Sequence, residues 1–266
     1  MSIVILLLLN AYAEDPTFVG TDAEGQAVEK PEGHLIAELG GSLATGNAVF
    51  FTLNGGTTAD YKWNQNKVGA IAAVALGRAV PDTNGDGHVD DQERAVGLVE
   101  NAKRAGLETR YDRFFGDKDS LYALGGSVLD PFAGYDLRTH EQVGYSRILA
   151  ASETTKFVAE VGFDVAQENF VDGVDPAYAD VFAARVLLGF SHAFSADVAF
   201  DDKVEAFENV LVLEDVRVLN TASLTSKLSN KFSLKLSHAL VFDNVPVEGF
   251  LPLDQTSLVT FVATVL

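Results

Sequence analysis

The sequence predicts an all-β chain that closes into an antiparallel, up-and-down transmembrane β-barrel of about twelve strands, with ten as the alternative count. Three observations carry this reading. Long segments alternate apolar and polar residues at period two, the signature of strands with one apolar face. Beyond residue 13 no stretch approaches the roughly 18 uninterrupted apolar residues of a membrane-spanning helix. Short polar connections (Gly116 to Ser120, Ser152 to Thr154, Ser195 to Asp197, Ser229 to Lys231) alternate with longer ones (Pro81 to Glu93, Asp130 to Asp136, Phe170 to Ala177, Asn244 to Asp254). A Greek-key sandwich has no reason to obey that rule, whereas a barrel with tight turns at one rim and loops at the other does.

Composition narrows the function classes. The 266 residues hold 38 acidic and 19 basic side chains, a formal net charge of −19. That balance argues against nucleic acid as a partner, since binding a phosphate backbone needs basic residues that displace its counterions. The absence of cysteine removes disulfides, thiolate metal sites and thiol nucleophiles. An apolar fraction of 47% is too high for disorder, so the chain must fold or insert.

The elements follow in order. Met1 to Leu9 is a short apolar run that leads through Asn10 to Ala11-Tyr12-Ala13, which predicts a signal peptide over 1–13. A buried strand is the competing reading. Residues 14–33 are polar, carry Pro16 and Pro31 and lack any period, so they read as a flexible periplasmic lead-in to a barrel over 34–266. Lys67 to Val80 has a helix-like composition but is assigned as a strand, because Gly69 and Gly77 punctuate it and strand parity requires it. From Arg104 to Arg113, Ala105, Leu107, Thr109 and Tyr111 oppose Arg104, Gly106, Glu108, Arg110 and Asp112. Phe157, Ala159, Val161, Phe163 and Val165 oppose Lys156, Glu160 and Asp164 in the same manner, and Phe182 to Phe190 repeats the pattern with Arg185 on the polar side. Near Val198 to Leu211 the apolar face is broken by Asp202, which suggests a bulge. From Lys231 to Asp243 only His238 interrupts the apolar side. Trp63, Tyr61, Tyr111, Phe115, Phe132, Tyr135, Phe170, Tyr178 and Phe194 fall near strand ends, where girdle aromatics meet the membrane interface.

The polar faces place Arg104, Glu108, Arg110, Asp112, Glu160, Asp164, Arg185, Lys227 and Lys235 in the lumen. A narrow bore lined by both signs of charge can pass small solutes, or it can close itself with ion pairs.

The sharpest local signal is Asp82-Thr83-Asn84-Gly85-Asp86-Gly87-His88-Val89-Asp90-Asp91-Gln92-Glu93, which fits the twelve-position EF-hand loop. Calcium, a hard cation, takes six to eight oxygens. Asp82, Asn84, Asp86 and Glu93 would ligate by side chain, His88 by its carbonyl, and Asp90 directly or through water. Gly87 supplies the bend and Val89 the apolar eighth position. A solvated acidic turn is the competing reading. Pro81 ends a strand, so the expectation is a lone loop with at most a short exiting helix from Asp91, on the outside of the cell by parity.

Leu39-Gly40-Gly41-Ser42 with Thr45-Gly46-Asn47, then Thr109 to Phe115, Asp130-Pro131-Phe132 and Val143-Gly144-Tyr145, occur in an order and spacing that resemble the bacterial family of salt-induced outer-membrane proteins, a domain-of-unknown-function family. The resemblance runs from about residue 34 to the end. It implies an outer-membrane β-barrel with no catalytic residues to carry over, and hence outer-membrane lipid and the barrel-assembly machinery as partners. Two departures stand out: the chain ends in Val265-Leu266 where barrels usually finish on an aromatic, and Pro81 to Glu93 is an insertion.

No Gly-x-Ser-x-Gly elbow is present, and the neighbours Ser191-His192 and Ser237-His238 point to opposite strand faces. His140 and Glu141 are the remaining acid-base candidates. The sequence therefore favours a narrow barrel that conducts ions or small solutes or is structural, then a calcium-dependent surface adhesin, and an enzyme third.

Overall fold

A computed structural model describes residues 28–265, apart from 47, 86, 87 and 248. The described strands are β1 (Val28–Ala44), β2 (Phe50–Asn64), β3 (Asn66–Ala79), β4 (Val99–Phe114), β5 (Asp119–Asp130) and β6 (Tyr135–Ala151), followed by β7 (Thr155–Phe170), β8 (Tyr178–Ala193), β9 (Val198–Asn209), β10 (Val216–Lys227), β11 (Phe232–Asp243) and β12 (Leu253–Thr264). Each pairs antiparallel with its sequence neighbours, and β1 closes the barrel on β12. Turns of one to four residues join the strands at one rim, the short-turn end. Mostly longer connections, from 131–134 to 80–98 with helix α1 (Asp91–Val96), join them at the other, the long-loop end.

The expected signal peptide over 1–13 and most of the lead-in lie outside the described residues. The lead-in boundary needs correction: residues 28–33 belong to β1. Pro31 is tolerated because the β1–β2 register shifts between Val28 and Glu32, so its missing N–H falls in an irregularity rather than a regular ladder.

The distribution of side chains is inside out. Leu39, Leu107, Leu121, Val161, Leu188, Leu236 and Val259 are exposed on the outer wall, while Arg110, Asp112, Gln142, Glu160, Arg185 and Thr260 are buried within. Exposed apolar bands of this extent demand a hydrocarbon solvent, and a closed sheet leaves no unpaired edge in it. The molecule is an outer-membrane β-barrel.

Two local expectations resolve differently. The Ala-rich segment 67–80 is strand β3, its helix propensity overridden by full pairing with β2 and β4. Asp202 causes no bulge, since the registers of β9 with β8 and β10 run without a shift. Its carboxylate stays on the outer face, where Asn220 Nδ2 donates to it at 2.7 Å.

The aromatic collar forms mainly at the short-turn end. Trp63 lies 5.7 Å from Tyr61 and 6.4 Å from Tyr111, and Phe115 lies 6.2 Å from Tyr145, between ring centroids. Phe194 packs edge-on against His192. At the long-loop end Tyr178 remains outside. Tyr135, Phe132 and Phe170 depart from the girdle expectation. The β6–β7 register shifts between Tyr135 and Leu137, so Tyr135 turns inward and packs on Phe170 at 5.7 Å, and Phe132 joins it in lining an internal cavity.

Candidate functional site

Strands β4, β5, β7, β8 and β9 send polar side chains into the middle of the lumen, two of them, Arg110 and Asp112, from β4. Arg110 of β4 donates from Nε and Nη2 to Asp112 at 2.9 and 2.8 Å. It also donates from Nη1 and Nη2 to Glu160 at 3.1 and 2.7 Å. Glu160 accepts again from Arg185 Nη1 at 2.8 Å, and the same Nη1 donates to the Tyr122 hydroxyl at 2.6 Å. Arg185 Nε completes the chain by donating to Glu205. The Arg110 guanidinium lies 4.1 Å from the Tyr122 ring centroid and that of Arg185 5.4 Å, so the ring is in contact with two cations. Arg110 and Glu160 are each 1% exposed. Charges this deep persist only when paired and fully hydrogen-bonded, and the planar guanidinium fork satisfies two carboxylates at once.

The ring fits because Gly144 and Gly162, register partners on β6 and β7, leave a notch beside it. A Cβ at either position would collide with the Tyr122 hydroxyl.

A second tier lies toward the long-loop end. Arg138 Nε donates to Glu168 at 3.0 Å, and Arg217 pairs with the same carboxylate and with Asp243 at 3.1 Å. Arg104 donates to Asp130 at 2.7 Å. His140 is 3.3 Å from Asp164 and 3.9 Å from Glu108. Lys235 reaches Glu38 at 3.3 Å on another sector of the wall. Of the nine charges placed inside by sequence parity, Arg110, Asp112, Glu160 and Arg185 meet in the central cluster, and Arg104, Glu108 and Asp164 belong to the tier above it. Lys227 is the exception: it stands exposed at the short-turn end of β10, at the rim. Sequence reasoning missed Tyr122, Arg138, Glu168, Glu205, Arg217 and Asp243.

Above the central cluster is a cavity of about 340 Å³. Arg104, Arg138, Lys203 and Arg217 reach its wall, and Phe132, Val247 and Phe250 form an apolar roof. The roof is the 244–252 connection folded over 131–134. Gly134, at φ 91°, has Val247 and Phe250 so close that an added Cβ would meet them at 3.0 and 3.1 Å.

The 82–93 segment closes on itself at this same end. Glu93 Oε1 accepts from Thr83 N at 2.6 Å and Asn84 N at 3.2 Å, and its Oε2 accepts from Asp90 N at 3.1 Å. The Asp90 N–H foremost, with those of Thr83 and Asn84, holds the Glu93 carboxyl below its ordinary value. Asp82 Oδ1 accepts from Gly85 N at 2.6 Å. Asp90 caps α1 by accepting from Gln92 and Glu93 N at 2.8 and 2.9 Å, and Glu93 returns the bond as a capping box. The short helix begins at the residue the sequence suggested. Val89 and Glu93 are buried, whereas His88 is exposed, and Asp86 and Gly87 lie outside the described residues. Among the described residues no three acidic or histidine side chains gather into a metal cluster. The Glu93 carboxylate nonetheless returns to the Thr83–Asn84 end of the segment, and Asp82, Asn84, Asp90 and Glu93 offer oxygen donors, the kind a hard cation takes.

The candidate acid-base residues are separated or turned outward. His140 faces the lumen and Glu141 the outer wall. His192 contacts Thr155 Oγ1 at 2.8 Å. His238 Nδ1 lies 2.9 Å from Ser257 Oγ on the outer wall, a cross-strand pair that adjacency in sequence could not reveal. Among the described residues no third side chain orients His238, and the backbone N–H groups around Ser257 are engaged in strand pairing, so an oxyanion site is not formed.

A family model described as "Protein of unknown function, DUF481" matches residues 37–265, and the chain belongs to that family. Among solved structures it is similar to the NanC porin, at 10% identity and a TM-score of 0.50, over 88% of this chain and 100% of that one. An outer-membrane channel from Pseudomonas putida F1 aligns at 9% identity and a TM-score of 0.46, over 92% and 99% of the two chains. The Pseudomonas putida toluene transporter TodX aligns at 10% and 0.37, over 90% and 89%. No curated protein matches the chain. At such identity the NanC likeness speaks for the fold alone.

Proposed function

We propose that the barrel is a normally closed channel for ions or small solutes, barred at mid-lumen by the Arg110–Glu160–Arg185 cluster and opening, when that cluster parts, from the cavity above it. The observation that carries this reading is the juxtaposition of a solvent-sized cavity with a buried bar of charges directly beneath it. A barrel whose interior only had to be filled could use apolar side chains at lower desolvation cost. Charged side chains, by contrast, can re-pair with water or a solute when the bar opens. In this reading the long-loop end faces outside, and the 82–93 loop takes calcium through Asp82, Asn84, Asp86, Asp90, Glu93 and the His88 carbonyl, which orders the outer rim. Affinities of about 10⁻⁴ to 10⁻³ M are typical of extracellular calcium modules. The salt-linked role rests on the sequence resemblance.

Planar-bilayer conductance of the refolded chain, with calcium and then with chelator, tests the reading. The wild type should be nearly silent and Glu160→Gln should conduct in discrete steps. A calcium-dependent change in those steps would make the 82–93 loop a lid. Silence of both proteins, with insertion shown by heat-modifiable migration, would favour a structural or adhesive envelope protein instead.

A further inference from the structure

The cavity above the central bar is close to charge-matched, and the mismatch is informative. Each of its guanidinium groups is paired with a carboxylate, Arg104 with Asp130, Arg138 with Glu168, Arg185 with Glu160 and Glu205, and Arg217 with Glu168 and Asp243, although the buried Nε of Arg104 and that of Arg217 make no hydrogen bond. Two charges on the cavity wall have no such ion pair. Among the described residues neither the Lys203 ammonium nor the Asp254 carboxylate is hydrogen-bonded or ion-paired to another side chain, although Arg104 and Asp130 act on Asp254 through space, and both line the cavity. An ammonium and a carboxylate on the wall of one cavity, held apart by that wall, have not neutralised each other.

That separation can be read from the register. Lys203 of β9 is level with Thr221, Thr221 with Ala239, and Ala239 with Thr256. Asp254 is two residues from Thr256 on the same face of β12, toward the long-loop end. Three strand spacings of about 4.8 Å and a two-residue offset of about 7 Å along the strand set the two backbones about 16 Å apart on the wall, and side chains that both reach inward shorten the gap. The ligand's own charges must therefore stand well apart. An α-amino acid, whose charges flank one carbon, is too short. Each further residue adds about 3.5 Å, so a di- or tripeptide with free termini spreads its charges over about 7 to 10 Å. The apolar roof of Phe132, Val247 and Phe250, with Leu219 and Val241 on the wall, offers its side chains a dry surface. The volume of about 340 Å³ lies at the small end of the range for ligand pockets.

We infer that this vestibule binds short zwitterionic peptides, the carboxylate on Lys203 and the ammonium on Asp254. The inference rests on the channel reading in that it names the solute class of the same lumen, but binding does not require that the bar open.

Titration calorimetry of the full refolded chain in detergent tests it, with alanyl-leucine, its N-acetyl derivative and its C-terminal amide as probes. Wild type should bind alanyl-leucine saturably and each blocked form at least about tenfold more weakly, since each lacks one charge-assisted contact. Lys203→Gln should abolish the preference for the free carboxylate while keeping that for the free ammonium, and Asp254→Asn should do the reverse. Equal affinity for free and blocked forms in wild type, or no saturable binding, overturns the inference, and neither outcome depends on how a variant folds. If Glu160→Gln conducts but the wild type binds no dipeptide, this inference alone fails. If the dipeptide binds with full charge discrimination while every variant stays silent in bilayers, the vestibule site stands and the channel reading falls.

Discussion

Arg110 and Glu160, fifty positions apart in sequence and carried by strands that are not neighbours in the barrel, meet at 2.7 Å where neither is more than 1% exposed. The pair spans the lumen rather than the surface of the sheet. Each partner is tied again, to Asp112 and to Arg185, so the interaction belongs to a chain of ion pairs within the lumen.

The division between faces predicts opposite fates for neighbouring residues of β7. Val161 is 55% exposed on the outer wall, where an arginine near the membrane midplane costs about 2 to 4 kcal/mol. Val161→Arg should reduce the fraction of heat-modifiable, folded barrel, whereas Glu160→Gln should assemble. Equal yields of the two would remove the face assignment.

Gly162→Ala probes the notch. Its Cβ would meet the Tyr122 hydroxyl and also the Val143 carbonyl oxygen at 2.8 Å, and a strand backbone cannot give way as a side chain can. An overpacking cost of about 1 to 3 kcal/mol is expected, read as a lower unfolding midpoint in denaturant. Displacement of Tyr122 from Arg185 should also raise the bilayer conductance. Gly125→Ala on the outer face of β5, where an added Cβ finds its nearest neighbour at 3.9 Å, is the control and should do neither.

The loop around Glu93 should loosen in acid. Its folded carboxyl is held below the ordinary value of 4.5, so the stabilisation is fully present above that value and is lost as pH falls through the lower folded one. Amide hydrogen exchange of residues 83–93, corrected for the intrinsic pH dependence of exchange, should show protection at pH 7 that declines only in strong acid. Glu93→Gln should show the weakened protection already at neutral pH. Protection independent of pH in the wild type would refute the role given to the carboxylate.

Calcium should protect the exposed α1 against trypsin after Arg94. The chelated wild type should be cut faster than the calcium-loaded one, and Asp82→Ala should be cut at the same rate in both conditions. Identical rates for the wild type with and without calcium would leave the loop a solvated acidic turn.

The wall of the barrel was legible because lipid imposes period two on every strand it touches, and Leu107, Val161 and Leu236 report it directly. The lumen was legible only where charge announced itself. Tyr122 and Leu124 both face inward on β5, a strand whose Gly125, Gly126 and Ser127 blur any alternation, so the ring at the centre of the bar carried no periodic signal. Arg138 and Tyr135 lie beside a register shift, which breaks parity from the sequence alone. Asp254 fell inside a segment read as a loop, and Lys203 sat on a strand whose apolar face is interrupted by Asp202. Which charges pair depends on registers that accumulate around the circle, and no local window of sequence contains them.

The five strands that build the central bar run from β4 to β9, and the circle itself is sealed by the short contact of Ile36–Gly40 with Thr260–Thr264. No single hairpin can satisfy Glu160: its partners arrive from both directions along the chain, on Arg110 and Arg185. Until the sheet curls far enough to bring them together, these side chains must keep their water. Biogenesis of this barrel therefore begins with a hydrated interior, and its final drying is a late event, coupled to the curling that brings β4 to face β7.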